Sequence, residues 1–151
     1  MHYLLYRLAF RMRKVFYLFI LAFVLNFVWE ISQAFLYMPH YVGIAELIKV
    51  HFIASLGDVL IISIIFLLSY SIFGFNVLND KYSIKNLFVV IIIGLVLAIL
   101  IEKYALATGR WEYNSAMPII PLLKVGLTPV LQMILIPLTL ILFRPQIENK
   151  L

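Results

Sequence analysis

The chain has 151 residues; 65% are hydrophobic, 13% are charged, the formal net charge is +5, and there is no cysteine. A soluble domain carries roughly 45–50% apolar and about 25% charged residues. A water-soluble fold is therefore excluded, because a chain this short cannot hide so much apolar surface, and the mean hydropathy of +1.08 agrees. The missing cysteines exclude disulfides, thiol catalysis and thiolate metal ligands.

A membrane helix needs about 20 mostly apolar residues, and four segments qualify. A basic arm over residues 1–15, with Arg7, Arg11, Arg13 and Lys14, precedes the first and is expected to lie along the membrane surface. The first helix is read at about 16–37. Its apolar run continues past Trp29 without a small-x-small cleavage site, so it reads as a retained helix rather than a signal peptide. The second helix is read at about 52–72, the third at about 87–106 and the fourth at about 121–143, the last interrupted by Pro129 and Pro137. The expected fold is an all-α polytopic membrane protein, a four-helix transmembrane bundle forming a single domain over residues 1–151.

Orientation follows from the basic residues. Arg7, Arg11, Arg13, Lys14, Lys81, Lys85, Arg144 and Lys150 fall on one side, and Lys49, Lys103, Arg110 and Lys124 on the other. Both termini are thus expected in the cytoplasm, with the bacterial cytoplasmic membrane as the setting. Basic residues at loops and ends read as topology and headgroup contacts, which leaves no role for nucleic acid.

The polar residues inside the helices are not scattered. Asn26, Glu30 and Gln33 share one face of the first helix at i, i+4, i+7, with Trp29 beside them, and His51, Ser55 and Asp58 repeat the spacing in the second. Glu102 ends the third helix and Gln132 sits within the fourth. At about 1.5 Å per residue all of these fall in the half of the bilayer away from the termini. A charged group at the membrane centre costs roughly 2.5–3.5 kcal/mol on insertion scales. Glu30 and Asp58 are therefore expected to face a polar cavity inside the bundle, open outward.

The stretch from Gly109 to Asn114, with Arg110, Trp111 and Tyr113, reads as the lid of that cavity, followed by a stiff extended re-entry over Met117–Pro121. Arg110 is expected to pair with Glu102 or Asp58, or else to be a plain loop charge. Trp111 and Tyr113 read equally as interfacial belt residues. Asn26 and Gln33 read as interhelical glue as readily as substrate contacts. Glu30, His51, Asp58 and Glu102 are hard or borderline ligands, but the tight helical spacing of metal sites is absent, so no metal is expected. There is no phosphate-cradling loop and no nucleophile elbow.

Trp29-Glu30-x-x-Gln33, His51-x3-Ser55-x-Gly57-Asp58, Gly109-x-Trp111-x-Tyr113 with Met117-Pro118, and Gly126-Leu-x-Pro129-x-x-Gln132 together resemble the motifs of a family of short, uncharacterised bacterial four-helix inner-membrane proteins. The resemblance spans about residues 26–137 and implies four helices in a bacterial membrane, with no activity attached. A looser architectural similarity links the chain to small membrane enzymes that process isoprenoids and carotenoids.

Three functions fit. The first is an intramembrane enzyme on a lipid or isoprenoid, with Glu30, Asp58, His51 and Glu102 as acid, base and relay groups and Trp29, Asn26, Gln33, Ser55, Arg110, Trp111, Tyr113 and Gln132 around the substrate. Trp29 and Trp111 would stabilise a developing cation. The second is a structural or assembly partner of a larger membrane complex. The third is a small proton-coupled carrier, acting as a homo-oligomer. No cofactor is identifiable.

Overall fold

A computed structural model describes residues 2–39, 41–77 and 83–148. Lys81 and Lys150, two of the residues that set the expected orientation, lie outside this range, as does most of the turn-rich connection before Ser83.

Helix α1 runs His2–Gln33 and passes into a short 3-10 turn, Ala34–Leu36. The basic stretch is therefore not a separate arm but the first turns of the same helix. No glycine or proline lies between residues 2 and 33 to break it, and Arg and Lys are good helix formers. Helix α2, Gly43–Phe73, starts nine residues earlier than the hydropathy suggests. The reason is local: the Glu46 side chain accepts the main-chain N–H of Val42 at 2.6 Å, closing the helix start over a polar first turn. It ends at Gly74, whose left-handed φ of 70° lets Gly74 and Phe75 donate back to Tyr70 and Ser69. Helix α3, Ile84–Ala107, is capped by the Ser83 hydroxyl, which accepts from the main-chain N–H of Asn86.

The fourth helix begins later than expected. Residues 119–126 form a small antiparallel hairpin, β1 (Ile119–Ile120) with β2 (Val125–Gly126), and α4 runs Leu127–Glu148. Pro129 thus sits in the first turn, where its missing N–H costs nothing, instead of breaking a helix. Pro137 and Pro145 lie further along the helix.

Three helices, Met12–Leu36, Gly43–Phe73 and Ile84–Ala107, are long and apolar enough to cross a membrane, while the apolar part of α4, Leu127–Phe143, is shorter. The chain is a small helical membrane protein. Many large apolar side chains are exposed along these helices, for example Phe16, Leu60 and Leu100, which suits lipid rather than water.

The four helices close around a core of Leu18, Ala22, Val59, Ile62, Ala98, Met133 and Leu140. A second cluster, Ile65, Val90 and Ile141 with Phe75, joins α2, α3 and α4 near the end where α2 finishes and α3 begins. At the opposite end the core gives way to polar side chains. Serines within α2 do not disturb the packing, because Ser55, Ser63 and Ser69 each donate to the carbonyl four residues back.

Candidate functional site

The polar end of the bundle holds a cavity of about 530 Å³ whose wall includes Glu30 and Gln33 from α1, His51 and Asp58 from α2, Glu102 from α3 and Gln132 from α4. Helices α1 and α2 contribute through the face that their i, i+4, i+7 spacing puts inward. The depth matching read from the sequence thus brings Glu30, Asp58 and Glu102 to one space.

Below the cavity the amide side chains tie the helices together. Gln132 Nε2 donates to Asp58 Oδ2 at 2.8 Å and to Asn26 Oδ1 at 2.9 Å, and its Oε1 accepts from Gln33 Nε2 at 3.1 Å. Gln33 Nε2 also donates to Glu30 Oε1 at 2.8 Å, and Asn26 Nδ2 donates to the Ala22 carbonyl at 2.8 Å. Asn26 and Gln132 are almost fully buried. Buried amides are tolerable only when both ends are satisfied, and this set satisfies its own members while fixing the two carboxyl groups.

His51 meets Glu30, with Nδ1 3.3 Å from Oε2. The sequence spacing put His51 and Asp58 on one face, but seven residues along a helix separates them by about 10 Å; the contact forms across the α1–α2 interface instead. Between His51 and Asp58, hydrogen bonds run from Glu30 through the amides of Gln33 and Gln132.

The lid is held rather than loose. The Met38 N–H donates to the Glu112 carbonyl at 2.9 Å, and the Asn114 N–H to the Leu36 carbonyl at 2.8 Å, on either side of a Tyr37–Tyr113 bridge. The Tyr113 hydroxyl donates to Glu102 Oε2 and accepts from the Gly126 N–H at 2.8 Å, while the Trp111 indole N–H donates to the same carboxylate oxygen at 3.3 Å. Glu102 therefore anchors the lid. Arg110 lines the cavity on its exposed side; the Glu102 partners are Tyr113 and Trp111, not the expected guanidinium.

Several anticipated contacts stand off the cavity. Trp29, Asn26, Ser55 and Tyr113 are not among its lining residues. Trp29 packs on the core and donates to Gln33 Oε1 at 3.2 Å, and the Ser55 hydroxyl is spent on the His51 carbonyl at 2.6 Å.

Tyr37 was not anticipated. It lines the cavity, packs against Trp111 and Tyr113 with ring centroids 6.4 and 5.7 Å apart, and is largely buried. Burial, then the neighbouring carboxylates of Glu102 and Glu30, push its phenol above the ordinary range. The Tyr113 phenol is also raised, by burial and then by its hydrogen bond to Glu102. Gly57, Ala54, Ala98 and Ile101 complete the apolar wall. No local signal marks Tyr37, which lies beyond the helix end and reaches the site only through its pairing with the lid.

The arrangement offers three carboxyl groups, an imidazole, a phenol and a guanidinium on one largely apolar space. Among the described residues no group of three His, Cys, Asp or Glu side chains is placed to hold a metal ion. Comparisons with protein-family models, curated proteins and solved structures find no match.

Proposed function

We propose that the chain is an intramembrane enzyme performing acid/base chemistry on a lipid or isoprenoid. The observation that carries this reading is the meeting of Glu30 and Asp58, from different helices, on a cavity whose remaining wall is largely apolar. A carboxylate is a costly adhesive inside a membrane. Amide groups already supply the adhesion here, so the two acids are left for another task. One delivers a proton and the other accepts one, with Gln132 and Gln33 holding them in position. Trp111 and Tyr37 present ring surface to any positive charge that develops in the substrate. Isomerisation, cyclisation, hydration and hydrolysis are all chemistry of this kind.

In this reading α4 also crosses. Leu127–Phe143 spans about 25 Å at 1.5 Å per residue, slightly short of a hydrocarbon core of about 30 Å, and the hairpin covers the remainder. The Lys and Arg distribution favours cytoplasmic termini in a bacterial cytoplasmic membrane, with the cavity on the opposite face. Membrane lipids then surround the protein and supply its substrate. A carrier is less well supported: beneath the amide layer the polar side chains among the described residues between the helices are serines such as Ser63 and Ser69, whose hydroxyls are bonded back to their own helix, and a proton path across would need a more continuous polar route.

The test is turnover of lipid extracts and polyprenyl compounds by purified protein, with Glu30→Gln and Asp58→Asn as controls. Both substitutions should abolish turnover and alter the lipid profile of the producing cell. An unchanged profile, together with stoichiometric co-purification of another membrane protein, would replace the enzyme with an assembly partner.

A further inference from the structure

Nothing in the packing requires glycine at position 57. It lies in the interior of α2, its φ is not in the left-handed region, and a Cβ placed there meets no atom within 4 Å. Glycine in a helix interior weakens the helix. Gly94, within α3, differs: it is needed for packing, since a Cβ there would collide with the Met133 carbonyl oxygen. What Gly57 borders is the cavity.

The cavity wall that includes Gly57 draws on both α2 and α3. Ile53 and Ile61 share the Gly57 face of α2, and Ala98 and Ile101 stand on the α3 side. Ile53 lines the cavity and is also 59% exposed, so one side chain borders both the cavity and the surrounding lipid. Toward the other end of the bundle the seam between α2 and α3 is shut, with Ile65 and Val90 fully buried in one cluster.

The charges in the cavity limit what enters. Among the described lining residues, three carboxyl groups, Glu30, Asp58 and Glu102, stand against one guanidinium, that of Arg110, and the imidazole of His51. A phosphate or carboxylate head would meet like charges at short range, which costs several kcal/mol in association generally. A hydroxyl donates to a carboxylate and accepts from a carboxylic acid, and so suits either state.

We propose that the α2–α3 seam is a lateral portal whose bore is set by Gly57, and that it admits a single-chain amphiphile with an uncharged hydroxyl head. The head lies among Glu30, Asp58 and Glu102, and the chain leaves between Ile53 and Ile101 into the bilayer. This deepens the enzyme reading, and rests on it only for the reason that the head should react.

Binding is tested without turnover. The full chain carrying Trp29→Phe, which leaves Trp111 as the sole tryptophan, is placed in lipid nanodiscs and titrated with dibrominated stearyl alcohol, whose bromines quench indole fluorescence at short range. Saturable quenching of Trp111 is expected. The phosphate monoester of the same alcohol should bind at least about tenfold more weakly. Gly57→Phe should weaken the alcohol about tenfold by filling the bore, and Gly57→Ala should fold normally and weaken it about twofold. Undiminished quenching in Gly57→Phe overturns the portal; if that variant does not fold, an unchanged Gly57→Ala does so. Equal binding of the phosphate overturns the head assignment. Alcohol binding without lipid turnover removes the enzyme and leaves the portal, whereas lipid turnover that survives Gly57→Phe removes the portal and leaves the enzyme.

Discussion

Gln132 on α4 donates one amide N–H to Asp58 Oδ2 on α2, at 2.8 Å, and with the same nitrogen reaches Asn26 Oδ1 on α1. One neutral side chain therefore fixes the position of an acid and closes three helices around it. In water a buried group left without its partner costs about 1–3 kcal/mol. In a membrane the unfolded reference state still finds partners, and measured interhelical bonds average about 0.6 kcal/mol. Gln132 makes three such bonds, so Gln132→Leu should destabilise the bundle by about 2 kcal/mol. Gln132→Glu should do worse at neutral pH, because an ionised carboxylate cannot donate to Asp58. Unfolding titrations in mixed detergent measure both. A Gln132→Leu protein as stable as the parent would show that the amide layer does not hold the bundle.

Two glycines separate packing from space. Residue 137 is proline and has no N–H to offer the Met133 carbonyl four residues earlier, and that carbonyl lies against Gly94 of α3, where a Cβ would sit 2.3 Å from the oxygen. The main chain cannot yield as a flexible side chain would. Gly94→Ala should therefore cost about 1–3 kcal/mol by overpacking, despite the better helix propensity of alanine. Gly57→Ala meets open space and should be neutral or stabilising by up to about 1 kcal/mol. Thermal unfolding of the two variants side by side gives the order; the reverse order would contradict the close approach of α3 to α4.

Much of this site was legible because helix periodicity is local. The shared face of Asn26, Glu30 and Gln33, and the matching depth of Asp58, follow from 3.6 residues per turn, and the cavity is where that arithmetic puts it. The partners were not legible. Spacing set His51 with Asp58 along one helix, but packing set it against Glu30 of the neighbouring α1. Glu102 looked like a possible acid, and two donors from a loop occupy it. Tyr37 carried no signal, because its place depends on a bridge to Tyr113 far along the chain. The early start of α2 was hidden by Glu46 and Lys49, which hydropathy reads as loop and capping chemistry reads as helix.

Alkaline pH should release the lid. The Tyr37 and Tyr113 phenols are both raised above their ordinary value, first by burial. A phenol in an unfolded chain ionises at about pH 10. Below that value the folded and unfolded chains hold these protons alike, and the contribution of the docked lid is complete. As pH rises further, the unfolded form ionises while the folded form resists, so the contribution falls toward the raised folded value. Phenolate absorbance should show tyrosines titrating late, and protection of the lid from proteolysis should drop above about pH 10. Tyr113→Phe should remove part of the late titration and loosen the lid already at neutral pH, since it loses both the Glu102 and the Gly126 contact. A lid equally protected at neutral pH in that variant would mean that backbone pairing alone secures it.

Glu102 and Glu30 line one cavity but should fail differently. Glu102 receives Tyr113 and Trp111 on a single oxygen, and a glutamine there keeps one acceptor oxygen while losing the charge. Glu102→Gln should therefore leave the lid docked but weaker, raising KM for a membrane substrate several-fold with a smaller change in kcat. Glu30 has no lid contact; its oxygens face His51 and Gln33. Glu30→Gln removes a group able to exchange a proton, and general acid/base catalysis is worth about 10²–10⁴-fold, so kcat should fall by that order with KM little changed. Once a substrate is in hand, steady-state kinetics on the two variants separates the roles. Should Glu102→Gln abolish kcat while Glu30→Gln spares it, the anchor and the acid exchange places, and the lid contacts of Glu102 become a means of positioning the reacting group.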